Sequence, residues 1–171
     1  MTISVGDRLP EITFKIKTDD GTKEVGTSDI FAGKKVVLIG VPGAFTPTCS
    51  NNHVPGFIEN YDAILARGID AVAVLSTNDH HVMAAWASFS GGDGKLTYLA
   101  DGNSEFTDAI GMLVDMSKGG LGKRTRRFSM IVDNGVVKTV NFGDAPGQAV
   151  VTGAAKIIEQ LEEIGQALPV G

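Results

Sequence analysis

The chain has 171 residues, 43% of them hydrophobic, with a formal net charge of −5, enough to bury a core as one domain over residues 1–171. The acidic balance gives no general reason to approach nucleic acid or anionic lipid, and no apolar run approaches the length of a membrane span. One cysteine cannot close an internal disulfide. The start at Met1–Arg8 lacks both a basic and an apolar leader region, so a reducing, cytoplasmic setting is expected.

In chain order, Ile12–Ile16 alternates as a strand and Asp19-Asp20-Gly21 turns it. The run Val36-Val-Leu-Ile-Gly-Val41 is short, apolar and β-branched, which predicts a buried strand that Pro42 and Gly43 stop. A helix is expected from Thr46 through Arg67, with Thr46 as its cap and Pro47 in its first position. Pro55-Gly56 should kink or divide it, and Gly68 should end it. Ile69–Leu75 reads as a second buried strand, followed by a helix capped by Asn78 or Asp79 and running through Phe89. Leu96–Ala100 is a third strand and Ser104–Met112 a helix. Arg127–Val132 and Val136–Phe142 flank Asp133-Asn134-Gly135, a hairpin turn that favours positive φ. The last helix, from near Thr152 to Gly165, sets Ile157, Ile158, Leu161 and Ile164 on one face. The alternation predicts an α/β fold, a central mixed sheet with helices on both faces.

Cys49 is the most informative residue. It falls just past the end of a central strand, where open α/β sheets place their sites, and in the first turn of the predicted helix. Unpaired N–H groups and the positive end of the helix dipole favour a thiolate there. A lone cysteine is more often a small buried hydrophobe, but Thr46, Pro47, Thr48, Ser50, Asn51 and Asn52 make a poor core environment. Thr46 has two readings: a plain helix cap, or a hydroxyl held for a substrate. His53 stands four residues after Cys49 and could face it, with a weak tuning role at most. Adjacent His80 and His81 diverge on a helix and read as cap and surface rather than as metal ligands.

The spacing Pro42-x3-Thr46-x2-Cys49 resembles the signature loop of the peroxiredoxins. The fuller string Pro42-Gly-Ala-Phe-Thr-Pro-Thr-Cys-Ser50 is similar to that of the peroxiredoxin-five, or type II, subfamily. The likeness extends through Val72–Ser76, Leu99-Ala-Asp101 and Arg127-Phe-Ser-Met130. The resemblance implies a thioredoxin-like fold and a peroxidase that uses no metal or bound organic cofactor. Cys49 would attack hydrogen peroxide or a small alkyl hydroperoxide and become a sulfenic acid. Thr46 would hydrogen-bond the peroxide, Pro42 would shield the thiolate, and Arg127 would hold both thiolate and peroxide. Strand alternation sends Arg126 and Arg127 to opposite faces, and the match to Arg-Phe-Ser-Met selects Arg127. Lys123, Arg124 and Arg126 read as a solvated basic run.

A magnitude explains why a thiolate alone is insufficient. Lowering a thiol pKa from ~8.5 to ~6 gains about tenfold in thiolate near neutral pH. A Brønsted slope of ~0.4–0.5 removes about as much in nucleophilicity. Large acceleration must come from orienting the peroxide and stabilising the departing oxygen.

Some members of the subfamily carry a second, resolving cysteine in the C-terminal region, where this chain reads Gly147-Gln-Ala-Val-Val-Thr152. The sulfenic acid must therefore meet an external thiol. The resemblance favours glutathione with glutaredoxin, then thioredoxin, and a homodimer formed near the active-site loop with Phe45 as a contact. Two other uses of the thiol stay open. A thiol-disulfide oxidoreductase would want Cys-x-x-Cys or Cys-x-x-Ser where the chain has Cys49-Ser-Asn-Asn52, and a redox sensor would pass oxidation to a partner protein.

Overall fold

The apolar runs beginning at Val36 and Ile69 lie side by side at the centre of one sheet. The computed structural model describes residues 2–145 and 148–167. Its strands, in chain order, are β1 (Thr13–Thr18), β2 (Gly21–Gly26), β3 (Lys35–Gly40), β4 (Ala71–Ser76), β5 (Thr97–Ala100), β6 (Leu113–Asp115), β7 (Lys123–Thr125), β8 (Phe128–Asp133) and β9 (Val136–Phe142). Seven form the main sheet in the order β2-β1-β5-β4-β3-β8-β9, and β6 pairs with β7 separately. β3, β4 and β5 are parallel, and β1 and β8 join them antiparallel.

The central strands are buried on both faces, which is why they read as continuous apolar runs. Val37, Ile39 and Val41 point into one half of the core, with Phe57, Met83, Trp86, Ile157 and Leu161. Val36 and Leu38 point into the other, with Phe14, Phe31, Phe106 and Phe128. The first half is covered by α2 (Val54–Glu59), α3 (Tyr61–Leu65), α4 (His80–Ser90) and α6 (Ala154–Ala167). The second is covered by α1 (Thr27–Phe31) and α5 (Glu105–Ala109). The mixed sheet with helices on both faces is the predicted architecture.

Several expectations are corrected. β2, α1, β6 and β7 have no counterpart in the sequence reading. β2 is an edge strand with mostly exposed residues, so it shows no apolar alternation, and the others are too short to display a period. The helix expected over 46–67 divides at Asn60, not at Pro55. Its first part contains a π-helical turn over Cys49–His53, closed by the Val54 N–H to the Cys49 carbonyl. Pro55 has no N–H to give and its ring crowds the carbonyl four residues back, so the widened turn just before it relieves that strain. The helix expected over 104–112 shortens to α5, because Ser104 sits in the left-handed region at φ 61° at one end and Gly111 does so at φ 72° past the other. Ile164 is 37% exposed and lies at the margin of the core. Asp79 caps α4, accepting from the His81 and Val82 N–H groups. Asn134 and Gly135 both have positive φ in the β8–β9 hairpin, as the sequence requires.

Candidate active site

The register of two antiparallel strands brings the site together. Gly40 at the end of β3 pairs with Phe128 at the start of β8. Because the strands run in opposite directions, the residue before Phe128 lies beyond the end of β3, where the chain enters the Pro42 loop. That residue is Arg127. A Cβ on Gly40 would fall inside the Phe128 ring, so glycine there permits the close pairing. Arg127 precedes the first residue of β8, one position later than the strand expected from sequence. Arg126 points the other way, exposed, with its guanidinium 5.4 Å from the centre of the Phe142 ring.

The loop after β3 is tightly built. Asn78 Oδ1 accepts from the Ala44 N–H at 2.9 Å and from Ser76 Oγ at 2.6 Å. Arg124 Nη1 donates to the Pro42 carbonyl at 3.3 Å, and its Nε donates to the Leu121 carbonyl at 2.7 Å. Gly43 is buried, and a Cβ on it would stand 3.0 Å from Arg124 Nη1 and 3.1 Å from Thr46 Cγ2. Phe45 adopts φ 64°, an unusual conformation for a bulky residue, and turns the chain into the helix.

Thr46 begins that helix, since the Ser50 N–H reaches back to its carbonyl at 2.9 Å. Cys49 therefore occupies the first turn, whose N–H groups have no intrahelical acceptor. The Thr46 hydroxyl does not cap this turn. It donates to the Gly43 carbonyl at 2.7 Å, which leaves the oxygen's lone pairs to accept a hydrogen bond from another group. Pro42 is half-buried.

Cys49 and Arg127 meet directly, with Arg127 Nη2 3.2 Å from Sγ. Cys49 has no exposed surface at all. The other half of the guanidinium fork is also used: Nη1 donates to His53 Nδ1 at 2.8 Å. His53 is buried, and its Nε2 bonds the Thr152 carbonyl at 2.9 Å. Burial, and then the Arg127 charge, lower its pKa from 6.5 to about 4; the Thr152 carbonyl and Asp144 pull weakly the other way. Ser50 Oγ receives the indole N–H of fully buried Trp86 at 3.0 Å, tying the π-turn to α4.

Of the four residues marked from sequence, Cys49 and Arg127 touch, while Pro42 and Thr46 belong to the loop and helix start that lead to Cys49. Asn78 and Arg124 were not anticipated as loop braces. Asn78 read as a cap and Arg124 as a solvated charge, since nothing local marks a side chain that reaches across the fold. For His53 the sequence supports a weak tuning role at most. Its spacing from Cys49 was the available signal.

A family model described as Redoxin matches residues 4–158. The chain is 43% identical over 160 residues to peroxiredoxin-2C of Oryza sativa subsp. japonica, covering 93% of this chain and 98% of that one. It is 46% identical over 160 residues to chloroplastic peroxiredoxin-2E-2 of the same plant, covering 91% and 70%. The crystal structure of reduced Prx3 from Vibrio vulnificus in complex with hydrogen peroxide matches with a TM-score of 0.89 and 41% identity, over 96% of this chain and 99% of that one. The chain belongs to the Redoxin family and has its thioredoxin-like fold. With a single cysteine, it is a one-cysteine peroxiredoxin of the peroxiredoxin-five type, a thiol-dependent peroxidase. Among the described residues no helix is long and apolar enough to cross a membrane.

Proposed function

We propose that Cys49 reduces hydrogen peroxide and small alkyl hydroperoxides. Its thiolate sulfur attacks one peroxide oxygen, so that an S–O bond forms as the O–O bond breaks. The bonding pair leaves on the distal oxygen, which takes a proton and departs as water or an alcohol, and a sulfenic acid remains. An external thiol then attacks that sulfur and expels water, and a second thiol resolves the mixed disulfide and restores Cys49. The observation that carries this reading is the Arg127 guanidinium 3.2 Å from Sγ. A donor fixed there holds the anionic nucleophile and can stabilise charge growing on the departing oxygen.

Thr46 supports the same scheme. Its proton is engaged by Gly43, so it accepts from the peroxide O–H and turns the peroxide for in-line attack. Pro42, the half-buried neighbour, limits water at the thiolate. The hydrogen peroxide bound in the Vibrio vulnificus relative is a substrate of the size such a site would take. Glutathione with glutaredoxin is the assigned reductant, thioredoxin the second, in a reducing compartment such as the cytoplasm. Because Cys49 has no exposed surface, peroxide and the larger reducing thiol both reach its sulfur only when the segment around it opens, the thiol requiring the wider opening. We also assign a homodimer near the loop, where Phe45 meets Phe89 of α4 with tilted rings 5.2 Å apart, 46% and 70% exposed.

The test is stopped-flow mixing of the reduced protein with hydrogen peroxide, beside Cys49→Ser. A second-order rate orders of magnitude above that of free cysteine, absent in the variant, is expected. A rate like that of free cysteine would end the peroxidase reading. Turnover with glutathione and glutaredoxin, against a single stoichiometric oxidation, separates catalyst from sensor.

A further inference from the structure

The Arg127 guanidinium is held from its rear by a hydrogen-bonded chain whose directions are all fixed. Arginine only donates, so His53 Nδ1 must accept. A carbonyl only accepts, so His53 Nε2 must carry the proton that bonds Thr152. The ring is thus neutral and in one tautomer. Thr152 is itself clamped. Asp144 accepts from the N–H groups of Val150, Val151 and Thr152 at 3.1, 2.9 and 3.1 Å, and from the Thr152 hydroxyl at 2.6 Å. Burial works against the Asp144 charge, but these donors outweigh it and hold its carboxyl below the ordinary value. The charged groups around His53 are Arg127 and, through Thr152, Asp144. The Phe57 ring packs edge-on against the imidazole, with ring centroids 5.6 Å apart.

We propose that Asp144 and His53 are positioning residues: Asp144 fixes the Thr152 carbonyl, the carbonyl fixes the His53 tautomer, and His53 Nδ1 sets the guanidinium that faces Cys49. The peroxide site is therefore coupled to the segment that follows β9, on the far side of the arginine. The inference rests on the peroxidase reading of Cys49. Without the Nδ1 acceptor, Arg127 keeps its charge but loses the bond that aims the second nitrogen at sulfur. A misplacement near 1 Å in such a site can cost on the order of 10²-fold in rate.

The tests use substitutions that separate the two ring nitrogens. Asn at position 53 places Oδ1 near Nδ1 and can accept from Arg127. Gln places its donor near Nε2 and cannot accept at the δ position. The rate of sulfenic acid formation should fall about 10²-fold in His53→Leu and His53→Gln. It should return to within about threefold of the parent in His53→Asn. Asp144→Ala should lose about tenfold, within the range for residues that act through a network, and should add nothing in a His53→Leu background. Thermal melts check that each variant folds. A purely structural His53 would make the two amide variants equal. Equal rates, a parent-like His53→Leu, or losses that multiply in the double variant would each overturn the proposal. The ring ¹⁵N shifts of His53 provide a readout independent of peroxidase activity. They should show a neutral Nε2–H ring at pH 7 that loses this preference in Asp144→Ala, and an Nδ1–H ring would overturn the relay even if the peroxidase reading stood or fell separately.

Discussion

Replacing Arg127 by lysine tests whether its charge or its geometry matters. The guanidinium spans two partners at once, Cys49 Sγ at 3.2 Å from Nη2 and His53 Nδ1 at 2.8 Å from Nη1. A lysine ammonium preserves the positive charge, but a single nitrogen on a flexible stem cannot reproduce a planar fork. Two unit charges about 4 Å apart interact by ~4 kcal/mol at an effective dielectric constant of ~20, so lysine retains part of the attraction. What it loses is one preorganised donor, which costs ~10²–10³-fold in comparable sites, or about 2.7–4 kcal/mol. Arg127→Lys is therefore expected to react with hydrogen peroxide about 10²-fold more slowly than the parent. Arg127→Ala should lose at least ~10³-fold, and Arg126→Ala, whose guanidinium lies over Phe142, should stay near the parent rate. Stopped-flow measurement of the second-order rate constant, with melting curves as a control for folding, gives the comparison. A lysine variant as fast as the parent would refute the argument from the fork. Loss of rate in Arg126→Ala with Arg127→Ala intact would refute the strand register on which the whole site rests.

Thr46→Val removes the hydroxyl that bonds Gly43, a net stability loss of about 1 kcal/mol. If the oxygen accepts from peroxide, the rate should drop ~10²-fold or more while Thr46→Ser stays close to the parent; a loss no larger than the stability change predicts would return Thr46 to a structural role. Phe45→Asp should shift sedimentation toward monomer, since the ring is 46% exposed on the single chain and is a contact of the assigned interface; an unchanged sedimentation coefficient counts against that interface. His53 also predicts an acid limb in stability. Its folded pKa is about 4 against 6.5 for the unfolded chain, so between these values the unfolded chain binds a proton that the native state refuses. The penalty is absent above about pH 6.5 and grows as pH falls toward 4, reaching on the order of 3 kcal/mol. Urea melts at pH 7.5 and 4.5 should show it in the parent and not in His53→Asn; parallel losses in both would place the acid sensitivity elsewhere.

The sequence by itself determined whatever depends on near neighbours. Pro42, Thr46 and Cys49 fall within eight consecutive residues, after an apolar β-branched run that reads as a buried strand and around a proline that suits the first position of a helix. Strand, loop, helix start and nucleophile were therefore legible together, as were the Asn134-Gly135 turn and the α/β order. The tertiary structure decided what depends on register and reach. Arg127 was found through its Arg-Phe-Ser-Met setting, but its contact with sulfur follows from the pairing of Gly40 with Phe128. The direction of the Thr46 hydroxyl, the braces at Asn78 and Arg124, and the chain from Asp144 through Thr152 to His53 leave no local pattern. The bonds of Asn78 to Ala44, Arg124 to Pro42 and His53 to Thr152 join residues distant in sequence, and the choice of the Gly43 carbonyl by the Thr46 hydroxyl is made by the conformation of the loop. A lone thiol at a helix start can be read from the chain, whereas the orientation of the arginine that faces it is set by packing and strand pairing.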